Sequence, residues 1–320
     1  MDGKIKWGIL GPGNIARRFA DALSRCEDAE LYAVASASDP ERAAAFAKEF
    51  GAEHAFGSYD LLLEDKNVQA VYIATVNTTH KELIKKCAAA GKPVLCEKPC
   101  VLTEADAAEL QALSESSGTL IMEAMWTAFL PATFTVKKWI ADGRIGSLKG
   151  MSLSFAFKGD RSSRRLYERK LAGGGMYDVG VYCIEYAMEL TGAYPVRCES
   201  ISAPQNGVDE YGVLLMRFPG DIIADCKYGV GFYAGGDAYV YGDNGRIFVP
   251  EFWSGGRCEL YGEEGRLKES YTDPEENRFI YEIRHFNRLV REGKTVSDIM
   301  TLEKTRVCAA VFDKIRSYEL

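Results

Sequence analysis

The sequence predicts an α/β protein of two domains. A doubly wound parallel sheet comes first, followed by an α+β domain with a large, mostly antiparallel open sheet. Three observations carry this. Over the first 120 residues, short apolar runs alternate with amphipathic stretches, the pattern of βαβ units. From about Trp126 the texture shifts to period-2 segments divided by glycine-rich turns. The length, 320 residues, exceeds one typical domain and suits two.

The strand-like runs of the first part are Ile5–Leu10, Glu30–Ala35, Ala70–Thr75, Pro93–Cys96 and Thr119–Met122. Between them, helix-like stretches fall at Asn14–Cys26, Pro40–Phe50, Ser58–Leu63, His80–Ala90 and Glu104–Ser116. Asp39-Pro40-Glu41 reads as an N-cap followed by proline at the first helical position, and Gly91 as a helix stop. In the second part, a helix over Thr133–Asp142 precedes strands at Gly150–Lys158, Val208–Phe218, Ile222–Val230, Ala238–Tyr241 and Arg246–Pro250. Glycines at 173–175, 235–236 and 255–256 mark turns, and further helices fall at Val179–Leu190, Asn277–Glu292 and Leu302–Tyr318. The domains are set at 1–123, for a dinucleotide, and 124–320, for substrate binding and dimerisation, with the last helix able to pack back on the first domain.

Composition narrows the function. With 47% apolar and 27% charged residues and a mean hydropathy of −0.16, each half can bury a core. A net charge of −7 lacks the basic footprint that nucleic acid requires. No apolar run reaches the roughly 18–20 residues that span a bilayer, and the chain enters a strand by Ile5, so the reading places it in the cytoplasm. Nine cysteines contain no C-x-x-C pair, and His54, His80 and His285 stand far apart, so neither a disulfide framework nor a metal site is expected.

Gly11-Pro12-Gly13-Asn14-Ile15-Ala16 follows the first strand and opens a helix, which is G-x-G-x-x-A in the context that gives the pattern meaning. Gly11 permits a tight turn. Gly13 lets the backbone approach a pyrophosphate seated on the helix N-terminus, flanked by Asn14 and Ile15. This is a Rossmann nucleotide site, with a plain glycine turn as the bland alternative. The second strand bears on which dinucleotide. An acid at its end marks NAD, but here Ser36 occupies that place. Ser38 and Arg42 stand nearby with groups able to hold a phosphate, and Asp39 is either a ribose ligand or a helix cap. The balance favours NADP over NAD.

Two further positions carry chemistry. Lys98, in Cys96-Glu97-Lys98-Pro99, ends a strand where open α/β sheets bind ligands; it is either a surface lysine or a charge beside the reacting hydroxyl. Asp178 and Tyr182, after Gly173-Gly174-Gly175, would share one face of a helix as i and i+4. They form a phenol supported by a carboxylate, unless Tyr182 is simply a core aromatic.

With these residues in view, the chain resembles the Gfo/Idh/MocA oxidoreductase family, and within it the dimeric dihydrodiol dehydrogenase and D-xylose dehydrogenase branch. The likeness rests on the glycine loop, Asn77-Thr78-Thr79-His80, Glu97-Lys98-Pro99, Met122-Glu123-Ala124-Met125-Trp126, and the triple glycine leading to Asp178 and Tyr182. It implies pyridine-nucleotide redox chemistry on a sugar, polyol or diol hydroxyl, and a homodimer or higher homo-oligomer. By the same resemblance, Thr75, Asn77, His80, Glu97 and Lys98 join the cofactor contacts, while Trp126, Phe155, Trp253 and Phe279 line a substrate pocket. Ala37 departs from the pattern, since NADP-using relatives often carry arginine there. The chemistry expected is hydride exchange with nicotinamide, with Tyr182 handling the hydroxyl proton. A free phenol, with its pKa about 10, is ionised only about one part in a thousand at pH 7, so a cation such as Lys98 would be needed to help. Asp178 would orient Lys98 or the substrate. Two rival readings stand beside this one: a non-catalytic dinucleotide sensor on the same fold, which would be expected to lack Lys98 or Tyr182, and a short-chain dehydrogenase, which needs a Tyr-x-x-x-Lys that this chain does not contain.

Overall fold

The computed structural model describes residues 3–205 and 207–316. In chain order the first elements are β1 (Ile5–Leu10), α1 (Asn14–Ser24), β2 (Ala29–Ala35), α2 (Pro40–Phe50), β3 (His54–Phe56), α3 (Tyr59–Glu64), β4 (Ala70–Ile73), α4 (His80–Ala89), β5 (Val94–Glu97), α5 (Glu104–Ser117) and β6 (Ile121–Ala124). Then come α6 (Pro131–Ala141), β7 (Leu148–Lys158), α7 (Arg164–Tyr167), α8 (Val181–Thr191), β8 (Arg197–Gln205), β9 (Val208–Phe218), β10 (Ile222–Gly229), β11 (Gly231–Gly235), β12 (Ala238–Gly242), β13 (Gly245–Val249), β14 (Arg257–Gly262) and β15 (Leu267–Thr272). The chain closes on α9 (Phe279–Arg291) and α10 (Leu302–Arg316).

The chain divides into two compact units, Met1–Trp126 with Asn277–Arg306, and Thr127–Glu276 with Val307–Leu320. The first holds a six-stranded sheet in the order β3-β2-β1-β4-β5-β6, parallel throughout. This is the doubly wound arrangement, with its order reversing between β1 and β4, where such sheets open a crevice beyond their strand ends. Its strands are buried almost end to end, because helices cover both faces. Phe19 of α1 stacks on Tyr72 of β4 at 3.7 Å, and Trp7 of β1 meets Phe19 edge-on at 5.3 Å. The sequence reading kept 277–306 with the second domain apart from a returning last helix; α9 lies in the first unit instead. Its Phe286 packs on Trp7 at 5.1 Å, and Trp7 Nε1 donates to Asn287 Oδ1 at 3.0 Å. The amphipathic period of α9 is visible in sequence, but the surface that receives its apolar face is not.

The second unit is a nine-stranded sheet ordered β15-β14-β13-β12-β7-β10-β9-β8, with β11 paired to β7. All pairings are antiparallel except β7 with β10, as the period-2 segments led one to expect. Burial alternates along β9, where Leu214, Met216 and Phe218 face inward while Tyr211 and Leu215 are exposed. The inner face is covered by α8, which is buried on all sides over Val181–Leu190. Strands β3, β8, β11, β14 and β15 were not anticipated. The predicted helix Leu302–Tyr318 is present to Arg316; Ser317 and Tyr318 lie outside the described residues.

Candidate functional site

The glycine loop takes its shape from two different constraints. Gly11 has φ +93°, which favours glycine, and a Cβ there would come within 2.9 Å of Thr75 Cγ2 and 3.0 Å of Ala74 O. Gly13 is the N-cap of α1 in extended backbone, and a Cβ on it would meet nothing closer than Ala74 O at 4.0 Å. No side chain caps α1, and its first turn, beginning Asn14-Ile15, contains no acid. Uncapped N–H groups, a positive dipole end and open room beside Gly13 are what a dinucleotide pyrophosphate requires, so these residues fit the group.

At the end of β2, Ser36 is buried and donates its N–H to Phe56 O at 3.1 Å, while Ser38 and Arg42 are exposed. Asp39 is a helix cap: its carboxylate accepts from the N–H groups of Glu41 at 3.0 Å and Arg42 at 3.4 Å. Arg42 reaches back across the loop, donating from Nη2 to Pro12 O at 3.4 Å.

Behind the ends of β4 and β5, the chain ties its own loops together. His80 is fully buried, with Nδ1 3.0 Å from Pro99 O and Nε2 3.2 Å from Thr75 O. Burial holds its pKa below the ordinary value, and the Lys98 ammonium pushes the same way. The His80 ring is therefore engaged by backbone, and any service to a cofactor runs through the two loops it joins. Thr75 Oγ1 pairs with Thr79 Oγ1 at 2.7 Å, closing the turn that contains Asn77. Glu97 is buried and accepts from the Tyr72 phenol and, at 3.2 Å, from the Lys98 N–H. Lys98 itself is half-buried. Glu123 sits near enough to feel its charge; burial raises the Glu123 pKa, while hydrogen bonds from Cys100 N–H at 2.9 Å and Thr305 Oγ1 at 2.7 Å oppose this. Tyr72, Glu123 and Thr305 were not foreseen, because each comes from a different strand or helix and no spacing links them.

In the second unit, Met176–Gly180 forms a single π-helical turn leading directly into α8, an irregularity that often marks functional positions. Asp178 in this turn and Tyr182, the second residue of α8, are both largely buried. The Asp178 carboxylate accepts from the Arg165 guanidinium. That partner was missed, although the basic run Arg161 to Lys170 just ahead of the glycines offered a hint. Phe155 meets Tyr182 edge-on at 5.4 Å and stacks on Trp253 at 4.9 Å. The other two predicted pocket aromatics pair in the first unit, Trp126 with Phe279 at 4.6 Å, both under the Arg18 guanidinium. The four thus form two aromatic pairs, one in each unit.

Among the described residues, no helix is long and apolar enough to cross a membrane, and no group of three or more His, Cys, Asp or Glu side chains could hold a metal ion.

Comparison with known proteins matches residues 5–125 to the Gfo/Idh/MocA oxidoreductase family, NAD-binding Rossmann fold, and 134–268 to the Gfo/Idh/MocA C-terminal domain. Trans-1,2-dihydrobenzene-1,2-diol dehydrogenase of Mus musculus is 32% identical, across 98% of this chain and 96% of its own; the Homo sapiens protein is 29% identical over the same shares. Among solved structures, the 3-ketoreductase KijD10 of Actinomadura kijaniata, in complex with NADP and TDP-benzene, superposes with a TM-score of 0.87 at 25% identity, covering 98% of both chains. Aldose-aldose oxidoreductase of Caulobacter crescentus, with glycerol, shares the fold at a TM-score of 0.88, 24% identity and 98% and 97% coverage. With both domain models matched in order and a relative above 30% identity over nearly the whole chain, this protein belongs to the Gfo/Idh/MocA family of NAD(P)-dependent oxidoreductases.

Proposed function

We propose that the protein is an NADP-preferring dehydrogenase of a sugar, polyol or trans-dihydrodiol, with Lys98 and Tyr182 acting on one substrate hydroxyl. The observation that carries the cofactor preference is the commitment of the acid nearest the end of β2: Asp39 caps α2, while Ser38 before it and Arg42 in the first turn of α2, next to an exposed Glu41, are exposed. A free carboxylate there would select a ribose 2′-hydroxyl and repel a phosphate. The ketoreductase relative was solved with NADP.

When bound, the nicotinamide supplies or accepts the hydride. The remaining task falls to the chain: to take the hydroxyl proton and stabilise the alkoxide that develops. A phenol can hold that proton, and an ammonium beside it favours both the phenolate and the alkoxide. Tyr182 and Lys98 are the residues of those types within matched sequence patterns. The 3-ketoreductase has also been solved with one lysine replaced by alanine or by glutamate, and with one tyrosine replaced by phenylalanine. Those two residues stand as far apart in its chain as Lys98 and Tyr182 do here. Asp178, held by Arg165, serves the phenol by fixing the turn that leads into the helix carrying it. Phe155 and Trp253 would offer ring faces, suited to a sugar or a cyclic diol. Relatives named for trans-1,2-dihydrobenzene-1,2-diol point the same way. The protein is further proposed to work as a homo-oligomer through the open face of the large sheet, where Ile201, Tyr211, Leu215 and Ile223 are exposed.

The test is turnover with a panel of sugars, polyols and dihydrodiols. Tyr182→Phe keeps the ring and removes the ionisable oxygen; the expected loss is about 10²–10⁴-fold, and as much or more for Lys98→Met. The double variant should fall well short of the product of the two single losses. Lys98→Met should also move the pH–rate profile to higher pH. Near-normal turnover by Tyr182→Phe would remove Tyr182 from the mechanism.

A further inference from the structure

Tyr59 opens α3 in a corner where two loops meet. The Ser36 N–H donates to Phe56 O at 3.1 Å, and a Cβ on Gly57 would lie 3.1 Å from Pro40 Cγ. The turn from β3 into α3 therefore rests on the turn from β2 into α2, and Tyr59, Ser38 and Arg42 share the corner. The acid nearest the end of β2 is committed, since Asp39 accepts from two N–H groups of its own helix; Glu41 stands exposed in the first turn of α2. Tyr59 is differently disposed. It is half-buried, the backbone of Ala37 hydrogen-bonds to its phenol, and Arg42 is close enough for its charge to act on it. With its oxygen engaged by the backbone, the phenol keeps its hydrogen for a partner outside the corner. Burial pushes its pKa up, against the opposing pull of Ala37 and Arg42, so it is a protonated donor at neutral pH.

We propose that Tyr59 is a specificity-determining residue that donates its O–H to a phosphomonoester on the cofactor ribose, beside the Arg42 guanidinium and the Ser38 hydroxyl. This rests on the NADP reading above and goes further, since nothing in the spacing of the second strand draws in a residue from α3. A neutral donor beside a cation suits a phosphate: it adds a charge-assisted hydrogen bond and brings no negative charge of its own. A ribose hydroxyl would gain far less from the pair.

Binding of NADPH, NADH, 2′,5′-ADP and 5′-ADP to the full-length wild type, Tyr59→Phe and Arg42→Ala separates the possibilities. The wild type should favour NADPH, and 2′,5′-ADP over 5′-ADP. Tyr59→Phe should weaken NADPH and 2′,5′-ADP by about tenfold while leaving NADH and 5′-ADP within about twofold. Its melting temperature should match the wild type, which distinguishes a lost contact from a loosened corner. If Arg42→Ala erases the preference and Tyr59→Phe leaves it intact, the inference about Tyr59 fails and the NADP reading stands. If the wild type binds NADH as tightly as NADPH, both fall. Equal weakening of all four ligands in Tyr59→Phe would also overturn the proposal, by showing that the phenol only supports the turn.

Discussion

Every residue of β4, β5 and β6 in the first unit is buried, whereas along β9 in the second unit inward and outward residues alternate. A parallel sheet covered on both faces leaves its chain free only at the strand ends, so the groups it can offer a ligand are backbone and loop residues: Gly11, Gly13, Thr75 and Lys98. The open sheet covers one face with α8 and leaves the other bare. Its candidate chemical groups are side chains, Asp178 on the turn entering that helix and Tyr182 in its first turn. The proposed pyrophosphate cradle of the first unit thus rests on backbone geometry, and the chemistry proposed for the second on side-chain identity.

That contrast breaks first at the glycine loop. A Cβ on Gly13 meets nothing closer than Ala74 O at 4.0 Å, and the branched side chain of Gly13→Val would fill the space beside the α1 N-terminus, so dinucleotide binding should fall by more than about 100-fold with the melting temperature nearly unchanged. Gly11→Val instead forces a branched side chain into φ +93° and against Thr75 and Ala74. It should cost roughly 3–5 kcal/mol of stability in a denaturant titration. If Gly13→Val unfolds the protein to the same degree, the loop is a structural turn and not a cradle.

A second test concerns buried titratable groups, since all three histidines belong to the first unit. His285 is buried beside Ser297, with Nε2 2.9 Å from its hydroxyl, and burial pushes its pKa down from 6.5 to about 4, with Arg288 acting the same way and Asp298 and Glu292 opposing. Between those values the unfolded chain binds a proton that the folded chain refuses, so His285 lends stability above pH 6.5 that is lost as the pH falls towards 4. The term amounts to about 3 kcal/mol across that window. Glu282, buried with no partner for either carboxylate oxygen and its pKa raised by burial, works in the opposite sense. The clean measurement is therefore the difference between wild type and His285→Gln, which should narrow in the variant's favour as the pH drops from 7 to 4. A constant difference would mean that folding does not lower the pKa of His285.

The smallest expected effect lies on the open sheet. Replacing Ile201 and Leu215 with aspartate, both exposed, should weaken self-association by about tenfold in sedimentation or light scattering while turnover per folded protomer persists at high concentration. An unchanged mass would overturn the proposal that this face mediates self-association.

The strand β1, the glycine loop and α1 could be read from the chain because everything that defines them is local: an apolar run, a glycine pair and an amphipathic period. Both matched ends of α2, Asp39 before Pro40 and Gly51 at its close, are local too. The same period-2 reading found β9 and β10 in the interior of the large sheet and missed its two edges, β8 and β15. Edge strands bury little and carry charge, as Leu267-Lys268-Glu269-Ser270-Tyr271-Thr272 does, so hydrophobic alternation has nothing to register. Among the candidate site residues, the chain named Lys98 and Tyr182 but not what holds their surroundings. The pairings of Glu97 with Tyr72, Asp178 with Arg165, and Asn287 with Trp7 join residues 25, 13 and 280 positions apart. Their partners follow from strand order, from the π turn and from the docking of α9. A sequence fixes which groups are present and how each short stretch prefers to fold. Which buried polar group meets which is settled only when distant segments close on one another, because burial without a partner is costly and each packing offers its own set of partners.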